Sequence, residues 1–292
     1  MLNLRDVTHV YPNGTRALDG VTLSIPRGMY GLLGPNGAGK STLMRAIATL
    51  QIPTGGTIHF GDIDVIAEPE RLRRTLGYLP QDFGVYPRVS AADMLDHLVV
   101  LKGIAAPTDR RTTVETLLQQ TNLWSVRKKN LSGFSGGMRQ RFGIAQALIG
   151  NPQLIIVDEP TAGLDPEERN RFLNLLAEVS ENVVVILSTH IVEDVLDLCP
   201  RMAVLADGRV RLEGAPQALI DAARGRIWMK VIERGELAKY REQYEVLSTR
   251  LYSGRTIVHI LAERDPGNGF TAVEAGLQDV YFSTLAGARR AA

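Results

Sequence analysis

The order of apolar and polar positions divides the first part of the chain into alternating strands and helices. Strand patterns occupy residues 2–10, 20–25 and 57–60, and helical patterns fill much of residues 85–150. Two later runs, 154–157 and 183–187, are continuously apolar, which is typical of central parallel strands covered on both faces. This alternation predicts an α/β fold built on a parallel sheet.

Helix starts are marked by local capping signals. Ser90 and Asp93 form a capping-box pattern before an apolar helical face, and a second helical stretch begins at Thr112. Asp165 is followed by a proline and two glutamates, which gives an N-cap, a first-turn proline and first-turn acids. We therefore expect helices to begin at these three places.

The pattern changes near Gly214-Ala215-Pro216. After a helical stretch at 217–224, strand signals at 226–232 and 256–261 alternate with helical signals at 236–244 and 277–285, and Ser253-Gly254 indicates a hairpin turn. We expect two units, residues 1–215 and a small C-terminal α+β appendage at residues 225–292.

The composition limits the classes of partner. The 292 residues include 33 lysines and arginines against 32 aspartates and glutamates, so the formal net charge is +1, which does not favour nucleic-acid binding. Cys199 is the single cysteine, so no intrachain disulfide forms, and this usage fits a reducing compartment. No run approaches 18 consecutive apolar residues, so any action at a membrane is expected to go through a partner.

A phosphate-binding loop follows the apolar run 29–33 and precedes a helical pattern. The pattern G-x-x-x-x-G-K-[ST] holds nucleotide phosphates, because its glycines bring backbone N–H groups close to them. We predict that Lys40 binds the β- and γ-phosphates and that Ser41 ligates Mg²⁺. The predicted nucleotide-binding residues are Gly34, Pro35, Asn36, Gly37, Ala38, Gly39, Lys40, Ser41 and Thr42.

Two carboxylates end the apolar strand at 154–157. Asp158 and Glu159 are expected at the carboxyl end of the parallel sheet, where ligands bind in such folds. We predict that Asp158 belongs to the Mg²⁺ site and that Glu159 orients or polarises a water against the γ-phosphate.

A second helix start is suited to an anion. Ser135, Gly136 and Gly137 precede a helical apolar face formed by Met138, Phe142, Ala145 and Ile149. One domain cannot readily aim two such helix ends at one nucleotide, whereas two copies facing head to tail can. We therefore predict that Ser135, Gly136 and Gly137 contact nucleotide held by a second copy.

Together these motifs resemble the ATP-binding-cassette family over residues 1 to about 215. The family signature is usually Leu-Ser-Gly-Gly-Gln, where this chain has Phe-Ser-Gly-Gly-Met at 134–138, so Met138 replaces a glutamine. The resemblance implies a P-loop NTPase core with an N-terminal antiparallel β subdomain and an inserted helical subdomain at about residues 85–150.

The resemblance also implies roles for four further residues. Tyr11 matches the aromatic residue that stacks on adenine, and Gln81 matches the glutamine that joins Mg²⁺ and the attacking water. His190 matches the histidine that contacts the γ-phosphate. Asp165, in Ala162-Gly163-Leu164-Asp165, matches the loop that communicates across the dimer.

The function implied is that of an ATPase subunit with ATP and Mg²⁺ as ligands. It would work as an ATP-dependent head-to-tail dimer on a separate membrane permease, at the cytoplasmic face of the cell membrane. The tail, with Trp228 and the run 276–285, is similar to the appendage of drug- and antibiotic-exporter ATPases, which favours export. Residues 82–88, with Phe83 and Tyr86, are predicted to receive a short helix of the permease.

The alternative is a soluble cassette ATPase that acts on nucleic acid or ribosomes. Chromosome-maintenance relatives carry a long coiled coil between phosphate loop and signature, and translation-factor relatives carry two cassettes. This sequence shows one cassette and no sustained heptads. No nucleic-acid partner is therefore expected.

Overall fold

The computed structural model describes residues 1–81, 84, 86, 88–161 and 164–291. The predictions that involve Phe83, Ala162 and Gly163 thus lie outside the described residues. The strands are β1 (Leu2–Val10), β2 (Arg16–Ile25), β3 (Gly28–Leu33), β4 (Gly55–Phe60), β5 (Ile63–Asp64), β6 (Leu76–Leu79), β7 (Leu154–Asp158), β8 (Val184–Thr189), β9 (Arg201–Ala206), β10 (Arg209–Gly214), β11 (Ile227–Ile232), β12 (Glu245–Tyr252), β13 (Arg255–Leu261) and β14 (Thr271–Ala272). The α-helices are α1 (Lys40–Ile47), α2 (Pro69–Thr75), α3 (Ala91–Leu101), α4 (Pro107–Gln120), α5 (Gly136–Ala147), α6 (Pro166–Val179), α7 (Val192–Leu198), α8 (Pro216–Ala222), α9 (Leu237–Gln243) and α10 (Leu277–Ala291).

Two sheets enclose α1. The N-terminal sheet is antiparallel with the order β2-β1-β4-β5, and the central sheet has the order β10-β9-β3-β8-β7-β6. Within the central sheet β9, β3, β8, β7 and β6 run parallel, and β10 pairs antiparallel with β9. Leu43, Met44 and Ile47 of α1 are buried in one apolar cluster with side chains of both sheets. The predicted P-loop core and antiparallel β subdomain are thus confirmed.

The parallel arrangement decides where the functional loops lie. The carboxyl ends of β3, β6, β7 and β8 meet at one edge of the central sheet, because all four strands run in the same direction. The segments that follow these strands contain the phosphate loop, Gln81, Glu159 and His190. This edge is where ligands bind in open α/β sheets.

The inserted helical layer is formed by α3, α4 and α5 around their own apolar cluster. Ser90 caps α3, since its hydroxyl oxygen accepts from the Asp93 N–H at 3.2 Å, as the capping pattern predicts. The helix expected from Thr112 begins earlier, at Pro107, because proline suits the first turn of a helix.

The appendage is an antiparallel sheet with the order β12-β13-β11-β14. Ser253 and Gly254 have φ angles of 48° and 81° and connect β12 to β13, as the predicted hairpin turn requires. β12 itself is absent from the sequence-based prediction, because the polar run Ser248, Thr249 and Arg250 weakens its apolar alternation.

The appendage shares its apolar core with the rest of the chain. Leu277, Val280 and Tyr281 of α10 are buried in the same cluster as Val195 and Cys199, at α7. α10 also packs against α8, β9 and β10. The division between residues 1–215 and 225–292 therefore stays a prediction, and unfolding measurements can test it. In the described part of the chain, none of the helices has the length and apolarity that a bilayer crossing requires.

Asp279 joins α10 to the appendage sheet. Its carboxylate accepts from the Gly276 N–H at 2.9 Å and lies 2.8 Å from the His259 Nδ1 atom on β13. Burial alone would raise the pKa of Asp279, but these two hydrogen bonds hold it below its ordinary value. The pair therefore fixes the start of α10 against β13.

Leu277→Ala tests whether core and appendage unfold together. Leu277 is 2% exposed in the shared cluster, so we expect a loss of about 2–5 kcal/mol in the free energy of unfolding and a single transition in urea. Leu251→Ala is the matched control, because Leu251 is 65% exposed and its truncation should change stability by about 0.5 kcal/mol or less. Two separate transitions, with only one shifted by Leu277→Ala, would show an independent appendage.

Candidate functional site

The loop between β3 and α1 needs glycine at specific positions. Gly37 and Gly39 have φ angles of 80° and 103°, and Gly39 is the residue before α1. A Cβ on Gly34 would lie 2.4 Å from the Leu205 carbonyl oxygen, and one on Gly39 would lie 2.3 Å from the Ala17 carbonyl oxygen. The loop thus packs its backbone directly on neighbouring backbone, which only glycine permits at these points.

Lys40 is the first residue of α1, and its side chain turns back into the phosphate loop, where it is only 5% exposed. Its Nζ atom donates to the Gly34 carbonyl oxygen at 2.7 Å and to the Pro35 carbonyl oxygen at 3.2 Å. The same atom lies 3.3 Å from the Glu159 Oε1 atom. The ammonium group is therefore surrounded by oxygen atoms at the N-terminus of α1, where phosphate oxygens would compete for it.

Glu159 is the centre of a short chain of polar contacts. Its second carboxylate oxygen lies 2.7 Å from the His190 Nδ1 atom, and its backbone N–H donates to the Ser188 carbonyl oxygen at 2.8 Å. Its φ angle is 49°, a left-handed conformation that costs a non-glycine residue energy. The structure thus brings together Lys40, Glu159 and His190, which follow three neighbouring strands.

Asp158 ends β7 beside this chain of contacts and is 3% exposed. Among the described residues its Oδ1 atom has no hydrogen-bond partner. Burial raises the pKa of Tyr78 on β6, and the negative charge of Asp158 raises it further. A buried carboxylate oxygen without a partner is costly unless a cation or donor joins it.

The other predicted residues lie around the same edge. Gln81 is exposed just after β6, whose Leu79 pairs with Val157 on β7. Ser41 is exposed in the first turn of α1. Tyr11 reaches α1 through its hydroxyl group, 3.0 Å from the Thr42 Oγ1 atom, and this hydrogen bond lowers the pKa of Tyr11.

The remaining loop residues occupy the turn itself. Pro35 supplies the carbonyl described above and also accepts from the Ala38 N–H at 3.2 Å. Asn36 is exposed at the tip of the loop, while Ala38 is buried and its carbonyl oxygen accepts from the Gly208 N–H at 3.0 Å. The turn is thus tied to the hairpin between β9 and β10.

Ser135 and Gly137 stand at the start of α5, in the helical layer. The Ser135 hydroxyl oxygen accepts from the Met138 N–H at 3.2 Å and caps the helix. Glu168 of α6 fills the space beside Gly137, where a Cβ would lie 2.3 Å from the Glu168 Oε2 atom. Met138 is half-buried against the helical cluster, so an apolar side chain is accommodated where the family signature has glutamine.

Asp165 caps α6 next to this contact. Its side chain accepts from the Glu168 N–H at 2.9 Å, as the sequence predicts for an N-cap. Glu168 also lies 3.6 Å from the Arg141 Nη2 atom on α5. The starts of α5 and α6 are therefore joined through one carboxylate.

Sequence reasoning missed several polar residues that the fold brings to this region. They are Thr161, Glu168, Arg169 and Asp194, together with Tyr78. Thr161 and Arg169 bond to Asp194 across 33 and 25 positions in the chain, so no local pattern marks these pairs. One local signal could have marked Asp194. It is an acidic residue between the apolar positions Val192 and Val195, one helical turn after His190.

Comparison with known proteins identifies the family. A family model described as ABC transporter matches residues 18–162. The daunorubicin/doxorubicin resistance ATP-binding protein of Streptomyces peucetius is 35% identical over 269 residues, covering 91% of this chain and 78% of its own. The Nod factor export ATP-binding protein I of Burkholderia thailandensis is 32% identical over 275 residues, covering 90% and 87%. A phosphonates import ATP-binding protein of Chromohalobacter salexigens is 36% identical over 242 residues, covering 78% and 89%.

Solved structures show the same fold. A dimeric bacterial ABC transporter cassette matches with a TM-score of 0.68 and 29% identity, covering 74% of this chain and 98% of its own. A dimeric post-hydrolysis cassette bound to ADP and Pi matches with a TM-score of 0.67, 29% identity and the same coverage. The chain belongs to the ABC transporter family. It is an ATPase with the cassette fold and an ATP-binding subunit of the transporter class.

Gly137→Ala tests the contact between α5 and α6. The new methyl group would displace the Glu168 carboxylate from Arg141, so we expect a loss of about 1–3 kcal/mol in the free energy of unfolding. Gly136→Ala is the matched control, because its nearest neighbour is the Leu164 Cδ2 atom at 3.9 Å. That change should be neutral or stabilise by up to about 1 kcal/mol through helix propensity. Equal stability of the two variants in urea titrations would contradict this account of the packing.

Proposed function

We propose that this ATPase powers export through a separate membrane permease, as an ATP-dependent head-to-tail dimer that binds two MgATP. The observation that carries the proposal is the linked set Lys40, Glu159 and His190 at one sheet edge, with the capped start of α5 in a separate layer. The first supplies half of a hydrolytic site, and the second supplies an anion-receiving helix end for another copy.

Nucleotide binding would use the phosphate loop and Tyr11. Phosphate oxygens would replace the Gly34 and Pro35 carbonyl oxygens as partners of Lys40, while backbone N–H groups of the loop would surround the phosphates. A hydrogen bond to Thr42 holds Tyr11 beside α1. From this position the Tyr11 ring would stack on the adenine base.

Three oxygen-bearing side chains around the same edge of the sheet suit Mg²⁺. Asp158 has a buried oxygen without a partner among the described residues, and the Ser41 hydroxyl and the Gln81 amide supply further oxygens. Mg²⁺ prefers oxygen ligands and usually takes only a few of them from the protein. When bound, it neutralises charge on the transferring phosphoryl group.

Glu159 is the proposed base for the attacking water. Its carboxylate is 8% exposed and its orientation is fixed by His190 on one oxygen and Lys40 on the other. Once Lys40 turns to phosphate, the freed oxygen can accept a hydrogen bond from water in line with the γ-phosphate. His190, held through its Nδ1 atom, would contact the γ-phosphate with its Nε2 atom.

A second copy would complete each site. Ser135, Gly136 and Gly137 begin a helix whose N-terminal N–H groups can receive the γ-phosphate held by the facing subunit. Asp165 starts α6 next to them, which suits contact across the dimer. Two of the matched solved cassettes are described as dimeric, which supports this arrangement.

The share of this chain that each relative matches favours export over import. The resistance and Nod factor export proteins match about nine-tenths of this chain, whereas the phosphonates import protein matches 78%. The longer matches must include much of the appendage, because 91% coverage leaves less than a tenth of the chain unmatched, whereas 78% coverage can leave out nearly all of residues 225–292. We propose that the subunit is held at the cytoplasmic face of the membrane by its permease.

Glu159→Gln tests both the base and the dimer. The amide keeps the size of the side chain and the contact with His190 but cannot take a proton, so we expect turnover to fall by about 100-fold or more. Nucleotide would remain bound, and ATP should produce a stable dimer in size exclusion with light scattering.

Lys40→Ala is the matched control, because it removes the cation that binds phosphate and should give neither turnover nor ATP-dependent dimers. A Glu159→Gln protein that stays monomeric with ATP and hydrolyses at the wild-type rate would overturn both assignments.

Tyr86→Ala tests the proposed docking segment after Gln81. Tyr86 is 63% exposed, and aromatic side chains on such a surface contribute strongly to protein contacts. We expect basal ATPase activity to persist while co-purification with the permease and cargo transport fall by about 10-fold or more.

Tyr252→Ala is the control, since Tyr252 is equally exposed but lies in the appendage. Equal transport by the two variants would place the docking surface elsewhere.

A further inference from the structure

Asp194 on α7 is a fully buried carboxylate outside the predicted catalytic set. It is 0% exposed, and both of its oxygens have partners. The Thr161 hydroxyl donates to its Oδ2 atom at 2.6 Å, and the Arg169 Nε atom donates to its Oδ1 atom at 2.7 Å. A carboxylate is costly to bury, and here the Thr161 hydroxyl and the Arg169 guanidinium offset that cost.

One partner of Asp194, Thr161, lies in the segment between β7 and α6, and the other, Arg169, lies in α6. Thr161 comes two residues after Glu159, and Arg169 comes four residues after Asp165. Asp194 therefore joins the end of the segment that carries the proposed base to the beginning of the helix that Asp165 caps. One side chain thus fixes the spacing between these two functional residues.

The same short helix begins two residues after His190. Asp194 lies four residues after His190, whose Nδ1 atom is 2.7 Å from the Glu159 carboxylate. α7 itself is fixed against β3, because a Cβ on Gly31 would come within 2.7 Å of the Val195 Cγ1 atom. The position of Asp194 is thus set relative to the strand that leads into the phosphate loop.

We propose that Asp194 is a positioning residue of the ATPase. Through Thr161 and Arg169 it holds Glu159 at the nucleotide and Asp165 toward the facing subunit, while α7 holds His190 on Glu159. The inference rests on the proposed roles of Glu159, His190 and Asp165. Asp194 would act through these residues and not on the nucleotide, so its loss should affect turnover more than nucleotide binding.

Asp194→Asn in the full-length chain is the test. The variant keeps the shape of the side chain but removes the charge that faces Arg169. We expect kcat to fall by about 10- to 100-fold, as misplacement of catalytic groups produces, with KM and the affinity for a fluorescent ATP analogue within about 3-fold of wild type. Asp197→Asn is the matched control, because it removes an exposed carboxylate from the same helix and should leave kcat unchanged.

Arg169→Lys is the second variant, in case Asp194→Asn does not fold. It keeps the positive charge but loses the Nε contact, so we expect a folded protein and a fall in kcat of about 3- to 10-fold. A folded Asp194→Asn or Arg169→Lys protein with wild-type kcat would overturn the proposal. A lower unfolding midpoint with normal turnover per folded molecule would also overturn it, because that result describes stability alone.

Failure of the proposed function would look different. In that case the Glu159→Gln protein would form no ATP-dependent dimer, whatever Asp194 does. Failure of the positioning proposal alone would leave those dimers intact and would appear only in the kcat of the Asp194 and Arg169 variants.

Discussion

The contact between Lys40 and Glu159 is the interaction on which the arrangement of this site depends. It joins the phosphate loop after β3 to the segment after β7, two strands that β8 separates in the central sheet. Both side chains are nearly buried, so their charges are expensive to hold without each other. A buried pair of this kind contributes little net stability, but it penalises any arrangement that separates the two charges while no phosphate is present to pair with Lys40. Its value lies in the geometry that it enforces.

The parallel sheet makes that contact possible. Because β3, β8, β7 and β6 run in one direction, a phosphate loop, a histidine, two acids and a glutamine all follow strand ends at one edge. Small residues then permit the close packing that fixes the edge. Gly34 and Gly39 lie on neighbouring carbonyl oxygens, and Gly31 makes room for α7. The chemistry is thus placed by backbone pairing first and by side-chain contacts second.

The parts of this structure that could be predicted from sequence are those with local signals. The phosphate loop, the strand that ends in Asp158, and the caps at Ser90 and Asp165 each occupy a few consecutive residues with a known mechanical role. Contacts between distant residues have no such signal. Asp194 meets Thr161 and Arg169, and Glu168 meets Gly137, only because the fold brings α5, α6 and α7 together. The sequence pattern does not predict the edge strand β12 for a related reason. Its polar sequence gives a weak strand signal, and the strand forms through its pairing with β13.

α7 connects the candidate site at the edge of the central sheet to the appendage. On one side its Asp194 bonds to Thr161 and Arg169, and on the other its apolar side chains share a cluster with Leu277 and Val280 of α10. α10 is in turn joined to the appendage sheet by Asp279 and His259. Packed interiors have low compressibility and transmit strain. A displacement of α10 that the packing of this cluster cannot absorb must therefore move α7 or open a cavity. α7 begins two residues after His190, which contacts the proposed base, so the path from the appendage to that residue is short. The packing thus gives a continuous path of contacts from the C-terminal sheet to the candidate site.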